Sequence, residues 1–534
     1  MKIADERITK YGLALLAIIL IGLFLRVYQL GTQSIWYDES FSIWTSNLAV
    51  PQIVPTVAAA AQPPLYYFLL HYWMMVFGTS ASAVRLLSVL FGVLAIPMIY
   101  VVGRQLFNKE AGLVGALILA LSSFNIWYSQ ETRMYSLMVF LALLSMYFFL
   151  CLLQRSTLAL SAGYVLSTML LLYTHYYGMF VVIAQNIYIV TLLVLSKRHT
   201  YKLRHWIGLQ AIVLALFAPW MVVVLSSQSV AGGVLSSQSV AGALHMIAWW
   251  HPQPTAVTLI FTYELYSGTA GLIADSDTVV LLAKVLSALF LGLSVFSLFA
   301  YQKVRGAMDW KAPLKSLESY SWEVRIRIQD LTPVYFLAVW LLAVNLIPFV
   351  ISLVSTPPIY FFRYTIAASV ALYLLVGKGT ANINNKPTKL AVIGVVAALS
   401  VASLPSYYFG VTRDQNREAT SLIDANAKSG DVVLIYPDFV NITFNYYNNR
   451  TDVAVKQISY GNGLVNNPEA TTEALQSDVN GHDRVWFYDG ALGTPTENFT
   501  LNFLNESYAK IYVKSYYIYN KYSSWEVYLY EKRA

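Results

Sequence analysis

Long apolar runs recur through the first 410 residues of this 534-residue chain, and they constrain its fold more than any other feature. A helix that crosses the hydrocarbon core of a bilayer needs about 20 predominantly apolar residues. With 57% hydrophobic and only 12% charged residues, the composition also excludes an ordinary soluble globular protein. The sequence predicts about eleven transmembrane helices, at Gly12–Leu30, Val84–Val102, Ala111–Tyr128, Leu137–Leu153, Leu158–Leu172, Met179–Ser196, Leu209–Leu225, Val279–Ala300, Val334–Leu353, Tyr364–Val376 and Leu390–Tyr408.

The rest of the chain predicts juxtamembrane helices and a small terminal domain. Pro64–Phe77 and Thr255–Tyr266 are apolar but short, which favours helices that lie in the outer membrane interface. We expect an α-helical polytopic membrane domain over residues 1–410 and an extracytoplasmic α/β domain over residues 411–534. The terminal domain shows a helical stretch, two buried-strand patterns and a closing hairpin, at Glu418–Lys428, Gly430–Pro437, Arg484–Gly490, Lys510–Tyr519 and Ser524–Glu531.

Lys and Arg are distributed unevenly between alternate connections of the predicted spans. The long connections over residues 32–82 and 226–277 contain neither residue type. Because cytoplasmic connections carry the excess of positive charge, we expect a cytoplasmic N-terminus and an extracytoplasmic C-terminal domain. The net charge of +7 therefore does not indicate nucleic-acid binding. The basic connections contain Lys2, Arg7 and Lys10, Arg104 and Lys109, Arg155, Lys197–Arg204, Lys303–Arg327, and Lys378, Lys386 and Lys389.

Glycosylation sequons agree with this topology. Four Asn-X-Ser/Thr patterns occur in the chain, and all of them follow residue 440. Chance matches in Asn- and Thr-rich loops are the alternative explanation. The confinement of the pattern to one compartment favours a glycoprotein of a cell that N-glycosylates exported domains, an archaeon or a eukaryote. The predicted modification sites are Asn441, Asn449, Asn498 and Asn505.

A direct repeat lies in the second long basic-free connection. The nine residues VLSSQSVAG occur twice between Val224 and Gly242, with one Gly between the copies. We interpret them as a local duplication in an outer loop, and a mobile lid is the alternative. Its role is not predicted.

An acidic pair, Asp38–Glu39, follows the first predicted span in the sequence WYDES. Between Thr32 and Ser82 these are the only acidic residues, and no Lys or Arg is present. Two adjacent carboxylates at a membrane surface are costly to desolvate, so the pair indicates catalysis or cation binding. A divalent cation is possible here, but no ligand spacing defines a metal site.

Five basic residues are predicted in the outer half of the membrane or at its outer edge. Intramembrane cations are rare and usually have an anionic partner, so a group of five favours the binding of an anionic lipid. Snorkelling toward lipid head groups is the alternative for each of them. These residues are Arg26, Arg85, Arg133, Lys284 and Arg363.

Other outer residues are candidates for supporting roles. Glu131 and Arg133 share a tight turn in YSQETRMYSL, where they could pair with each other. His175 and His251 are external, although a lone histidine there is more often an interface residue than a metal ligand. Tyr66 belongs to an aromatic set that suits either a membrane interface or a sugar platform.

These motifs together resemble the GT-C glycosyltransferases, and specifically the group of protein O-mannosyltransferases and the lipid A aminoarabinose transferase. The resemblance covers roughly residues 18–375 and is carried by five sequence features in chain order. One position departs from the pattern, because Gln62 stands where many relatives have His before Pro-Pro. The features are the acidic pair, QPPLYYFLLHYW at Gln62–Trp73, Arg85–Leu86, YSQETRMYSL at Tyr128–Leu137, and Arg363–Tyr364.

The resemblance implies a sugar donor on a polyprenyl or dolichyl phosphate and a hydroxyl-bearing acceptor, a protein, glycan or lipid, at the outer leaflet. It implies that Asp38 is the general base of an inverting transfer and that Glu39 supports it. Arg363 and Tyr364, with Lys284, Arg133 and Arg85, would bind the donor phosphate. A transporter or flippase of lipid-linked sugars is the alternative, but the sequence shows no inverted repeat. A sensor or adhesin is a third interpretation, which so many spans make less favourable.

Overall fold

The structure, a computed structural model, describes residues 2–195, 203–231, 252–268, 276–298, 300–301, 324–325, 328–458, 468–518 and 522–533. Its chain forms two compact units that alternate along the sequence. The first unit contains Met1–Tyr28, Ala49–Tyr72 and Arg85–Leu404. The second contains Gln29–Leu48, Trp73–Val84 and Pro405–Ala534. The segment that carries Asp38 and Glu39 therefore belongs to the same unit as the terminal domain.

Helices make up most of the described residues before residue 410. Apart from a two-stranded antiparallel pair, β1 (Ala300–Tyr301) and β2 (Val324–Arg325), and a 3-10 helix at Phe362–Ala368, every element described there is an α-helix. The helices are α1 (Lys2–Val27), α2 (Tyr37–Ser46), α3 (Val50–Ala59), α4 (Leu65–Phe77), α5 (Ala81–Leu106), α6 (Lys109–Leu121), α7 (Ser123–Ser129), α8 (Tyr135–Gln154), α9 (Leu158–Leu172), α10 (Gly178–Leu195), α11 (Leu203–Ala231), α12 (Ala256–Ser267), α13 (Asp277–Phe296), α14 (Ile328–Val354), α15 (Ser369–Ala381), α16 (Lys386–Ala402) and α17 (Leu404–Phe409).

A polytopic helical domain is confirmed, with a difference in the number of full-length spans. Within the described residues, eight helices are long and apolar enough to cross a membrane, and nine if the bent pair α6–α7 counts as one span. Two further predicted spans correspond to α9 and α10, which are apolar but shorter. Most of the duplicated segment, from Gly232 onward, lies outside the described residues.

The bend between α6 and α7 has a local cause at Ser122. This residue ends α6 with a ψ angle of 113°, outside the helical region, and its hydroxyl accepts a hydrogen bond from the Asn125 amide. It therefore acts as the N-cap of α7. The two helices meet at 60°. The bend places the turn over residues 130–134 between α7 and α8.

The terminal part of the second unit is an α/β fold around a five-stranded sheet. Strands β3, β4 and β5 are parallel, and β6 and β7 form an antiparallel hairpin that joins the sheet through β5, in the order β4-β3-β5-β7-β6. The elements are α18 (Asn416–Asn426), β3 (Val432–Tyr436), α19 (Asn441–Tyr447), β4 (Ala454–Gln457), α20 (Pro468–Val479), β5 (Arg484–Asp489), α21 (Pro495–Ser507), β6 (Tyr508–Ile518) and β7 (Tyr522–Lys532).

Both faces of the interior strand β3 are covered. Val433 and Ile435 pack into one hydrophobic core, whereas Val432, Leu434 and Tyr436 pack into the other. Such a strand reads as a continuous apolar run, which is why the pattern GDVVLIYP predicts it correctly. The predicted strand at residues 484–490 and the closing hairpin are also confirmed. The short strand β4 carries no such run, and the sequence does not predict it.

Candidate active site

Arg133 is held by two side chains of the QPPLYY segment. Its guanidinium donates to Gln62 Oε1 and to the Tyr67 hydroxyl, each at 3.2 Å, and the Tyr67 hydroxyl also donates to Gln62 Oε1. The Arg133 side chain is buried. Gln62, which replaces the expected His, is therefore an acceptor that orients a buried cation, and its amide does not ionise near neutral pH.

The backbone beside Arg133 is fixed as well. The hydroxyl of Ser88, on α5, donates to the Arg133 carbonyl oxygen at 3.0 Å and pairs with the Tyr66 hydroxyl at 2.9 Å. Tyr66 is fully buried. The structure thus assigns the predicted Tyr66 to a hydrogen-bonded support of the Arg133 turn and not to an exposed sugar platform.

Arg363 lies in the first turn of the 3-10 helix Phe362–Ala368 and is 8% exposed. Its guanidinium carbon lies 5.0 Å from the ring centre of Phe361 and 5.7 Å from that of Tyr364, which are cation–π distances. The preceding loop is anchored by the Ser352 hydroxyl, which accepts the amides of Ile359 and Tyr360 at 2.9 and 2.8 Å. Arg363 is therefore positioned by aromatic rings and a tethered loop.

His175 lies against two aromatic residues that neighbour the arginines in the chain. The ring is in contact with Tyr364, at 5.0 Å between ring centres, and with Tyr135, at 6.0 Å. Burial and then the charges of Arg133 and Arg363 lower the pKa of His175 to about 3. Its Nδ1 accepts the Tyr177 amide at 3.1 Å, so a neutral His175 carries its proton on Nε2 and donates there.

The first unit has an excess of buried positive charge. Among its described residues, Glu131 is the one buried acid, whereas five basic side chains are buried. Cations in a low-dielectric environment are stabilised by anions that approach them. The buried basic residues are Arg26, Arg85, Arg133, Arg363 and Lys378.

Arg26 does not belong to the anion-binding group that the sequence suggested. Its guanidinium donates to the carbonyl oxygens of Gly22, Leu119 and Ala120 at 3.0–3.1 Å and to Ser129 Oγ at 3.1 Å. The carbonyl oxygens of Leu119 and Ala120 belong to the last turn of α6, where the helix itself supplies no N–H donor for them. Arg26 is therefore a structural residue that stabilises the α6–α7 bend.

The four remaining predicted residues differ in burial or in whether the structure describes them. The Lys284 side chain is exposed on α13, whose buried face consists of Ala283, Leu286, Ser287, Phe290 and Leu293. Arg85 and Glu131 are each about 1% exposed. His251 lies outside the described residues.

The acidic pair starts α2 in the second unit, and its two members have different environments. Glu39 is fully buried, whereas Asp38 is half-buried. Glu39 Oε2 lies 3.8 Å from Arg413 Nη1, and both side chains are buried. The sequence did not identify Arg413, because the separation of 374 positions from Glu39 leaves no local signal.

The described residues offer no group of three or more His, Cys, Asp or Glu side chains that could hold a metal ion. Asp38 and Glu39, the predicted cation ligands, differ in burial.

The four sequon asparagines lie in the second unit with unequal exposure. Asn449, Asn498 and Asn505 are exposed, and Asn441 is half-buried at the start of α19. The sequon threonine of Asn441 is Thr443, which is buried and bonded to the Ser40 hydroxyl at 2.6 Å.

Comparisons with known proteins agree with these features. Residues 61–223 match the family described as dolichyl-phosphate-mannose-protein mannosyltransferase. ArnT from Cupriavidus metallidurans, solved with undecaprenyl phosphate, shares the fold with 12% identity and a TM-score of 0.58 over 98% of each chain. The oligosaccharyltransferase AglB from Archaeoglobus fulgidus, solved with an inhibitory peptide and a dolichol-phosphate, has 13% identity and a TM-score of 0.52 over 95% of this chain and 73% of AglB.

No curated protein sequence matches the chain. The matched segment contains Gln62, Tyr67, Arg85 and Arg133, so the family match and the first arginine site coincide in sequence. The resemblance inferred from the motifs is thereby confirmed: the chain is similar to the GT-C superfamily of polyprenyl-phosphate-sugar-dependent glycosyltransferases, in sequence over residues 61–223 and in fold over nearly its whole length.

Proposed function

We propose that this protein is an integral membrane glycosyltransferase that transfers a sugar from a polyprenyl or dolichyl phosphate to an acceptor hydroxyl on the extracytoplasmic face. The observation that carries the proposal is the pair of buried arginines, Arg133 and Arg363, whose chain neighbours Tyr135 and Tyr364 both contact the His175 ring. This arrangement suits a phosphate, because guanidinium groups bind phosphate oxygens through two parallel hydrogen bonds.

The proposed reaction is a single displacement with inversion. The Asp38 carboxylate takes the proton of the acceptor hydroxyl as its oxygen attacks the anomeric carbon. The bond between that carbon and the phosphate oxygen breaks, and its electron pair stays on the leaving polyprenyl phosphate. Asp38 then returns the proton to water. One carboxylate suffices for this chemistry, unlike the pair used in glycoside hydrolysis.

Arg133 and Arg363 stabilise the charge that develops on the leaving phosphate. His175, with its proton on Nε2, supplies a further neutral donor. Tyr364 orients Arg363 through its ring. Arg85 and Glu131 remain candidates for donor contacts, and Lys284 remains a prediction from the sequence alone.

The test uses purified protein in lipid nanodiscs with a panel of radiolabelled dolichyl- and undecaprenyl-phosphate sugars and an extract of surface glycans as acceptor. Asp38→Asn should lower the turnover number at least about 100-fold while leaving lipid phosphate binding unchanged. Arg363→Ala should weaken binding of dolichyl phosphate roughly 10- to 100-fold.

The control is Lys389→Ala, which removes a surface cation paired with Glu110 at 2.7 Å. It should behave as the wild type in both assays. Full turnover in Asp38→Asn would exclude Asp38 as the base, and unchanged lipid phosphate affinity in Arg363→Ala would remove Arg363 from the phosphate site.

A further inference from the structure

The first turn of α2 separates its two carboxylates. Successive residues on a helix point about 100° apart, so one of two neighbours can face the interior while the other does not. Glu39 faces the interior and is fully buried, whereas Asp38 remains half-buried. The orientation of Asp38 therefore depends on what holds Glu39 and the backbone of α2.

Glu39 is held by a charge from the terminal part of the chain. Its carboxylate and the Arg413 guanidinium approach to 3.8 Å, with exposures of 0% and 3%. Charges removed from water to this extent interact strongly, and removal of one leaves the other uncompensated in a buried position. Arg413 lies between α17 and α18, just before the first helix of the α/β fold.

The backbone around the acidic pair is attached to the same part of the chain. The Ile35 amide donates to the Tyr447 hydroxyl at 2.6 Å, and the Ser34 hydroxyl donates to Glu418 at 2.7 Å. On the other side of the pair, the Ser40 hydroxyl bonds Thr443 at 2.6 Å. Residues from α18 and α19 thus hold the chain both before and after Asp38.

We propose that Arg413 is a positioning residue for catalysis: through Glu39 it fixes the first turn of α2, and the terminal α/β domain thereby sets the orientation of the Asp38 carboxylate. The inference rests on the proposed role of Asp38 as the base. It assigns the terminal domain a part in the transfer reaction, and it gives Glu39 the role of a structural link between Arg413 and Asp38.

The experiment compares Arg413→Met, which removes the charge, with Arg413→Lys, which keeps it, and with the double variant Arg413→Met/Glu39→Gln. A displacement of a reacting group by about 1 Å costs on the order of 100-fold in rate. Arg413→Met should lower the turnover number by about this factor and leave KM for the lipid-linked sugar within about twofold. Arg413→Lys should keep most of the activity.

The double variant isolates the link through Glu39. It should be several-fold more active than Arg413→Met, because the buried Glu39 carboxylate that loses its Arg413 partner in the single variant is replaced by a neutral amide. A double variant no more active than Arg413→Met, or an Arg413→Met protein with wild-type turnover, overturns the proposal. If Arg413→Met is not recovered folded, Glu39→Gln is measured in its place, with the same expected loss of turnover at unchanged KM.

A second readout does not depend on the reaction. Hydrogen exchange by mass spectrometry should show faster exchange over Tyr37–Ser46 in Arg413→Met and not in Arg413→Lys, with α8 unchanged in both. The matched control is Lys456→Met, which removes an exposed cation paired with Asp478 at 3.5 Å in the same domain. It should retain wild-type exchange and turnover.

The two readouts separate the possible failures. Unchanged exchange over Tyr37–Ser46 in Arg413→Met overturns the positioning role whatever the activity. Faster exchange combined with full activity of Asp38→Asn leaves the structural link intact but overturns the proposed base, and with it the catalytic part of this inference.

Discussion

The Arg133 guanidinium donates to Gln62 Oε1 at 3.2 Å, and this bond joins residues 71 positions apart in the chain. Gln62 occupies the position at which the sequence departs from its GT-C relatives. Gln62 still makes specific contacts at this position, because its amide oxygen accepts hydrogen bonds from both Arg133 and Tyr67. Gln62 is thus part of the scaffold that presents Arg133.

Replacing Gln62 by Leu should weaken binding of dolichyl phosphate about tenfold, because a hydrogen bond to a charged group contributes roughly 1.5–3 kcal/mol and part of this is regained by water. Affinity is measured by titration of dolichyl phosphate into nanodisc-embedded protein. Gln105→Leu is the control, since Gln105 contacts the Cys151 sulfur at 3.5 Å and none of the arginine site. Equal affinity in Gln62→Leu and wild type would mean that Arg133 keeps its position without this acceptor.

Replacing Arg26 by Met should destabilise the protein by roughly 3–5 kcal/mol, because buried carbonyl oxygens at the α6–α7 bend lose a charged donor. The midpoint of thermal unfolding in detergent should fall, and Arg155→Met, an exposed residue at the end of α8, should leave it unchanged. A folded Arg26→Met protein with a normal unfolding midpoint and weakened lipid phosphate binding would contradict the structural role. It would show that Arg26 contributes to anion binding.

Replacing His175 by Phe should change how stability depends on pH. The pKa of His175 is about 3 in the folded protein and about 6.5 for a histidine in the unfolded chain, so between these pH values the unfolded chain binds a proton that the folded one does not. Wild-type stability therefore falls as pH decreases from about 6.5 toward 3, by at most about 1.4 kcal/mol per pH unit.

The measurement is the unfolding midpoint of both proteins from pH 7 to pH 4 without lipid phosphate. The wild type should lose more stability over this range than His175→Phe. Parallel curves would show that His175 is protonated as readily in the folded protein as in the unfolded chain.

Glycopeptide mass spectrometry should find glycans on Asn449, Asn498 and Asn505 but not on Asn441. The first three asparagines are exposed. The sequon of Asn441 lies in a helix, and its threonine, Thr443, is buried. Occupied sites would also place the terminal domain outside the cytoplasm, as the charge distribution predicts. Glycans on Asn441 would mean that modification precedes folding of α19, and the absence of glycans from all four sites would remove the support that the sequons give to this topology.

The sequence by itself determined the membrane class, most span positions, the α/β character of the terminal domain and the GT-C resemblance. These follow from local properties: the length of apolar runs, strand patterns such as GDVVLIYP, and short motifs. The tertiary structure decided what each buried cation contacts. Arg26 and Arg133 are both predicted from the sequence as cations in the outer half of the membrane or at its outer edge. Arg26 donates to carbonyl oxygens at the end of α6, whereas Arg133 donates to the side chains of Gln62 and Tyr67.

The tertiary structure also decided the different environments of Asp38 and Glu39. No local pattern distinguishes two adjacent acids, and Arg413 lies hundreds of residues away. Burial of Glu39 against Arg413 is a property of the folded second unit, in which the first loop and the terminal domain share one compact body. Packing decides which residues distant in sequence become partners. A buried charge requires a counter-charge, and that counter-charge can come from any part of the chain that packs beside it.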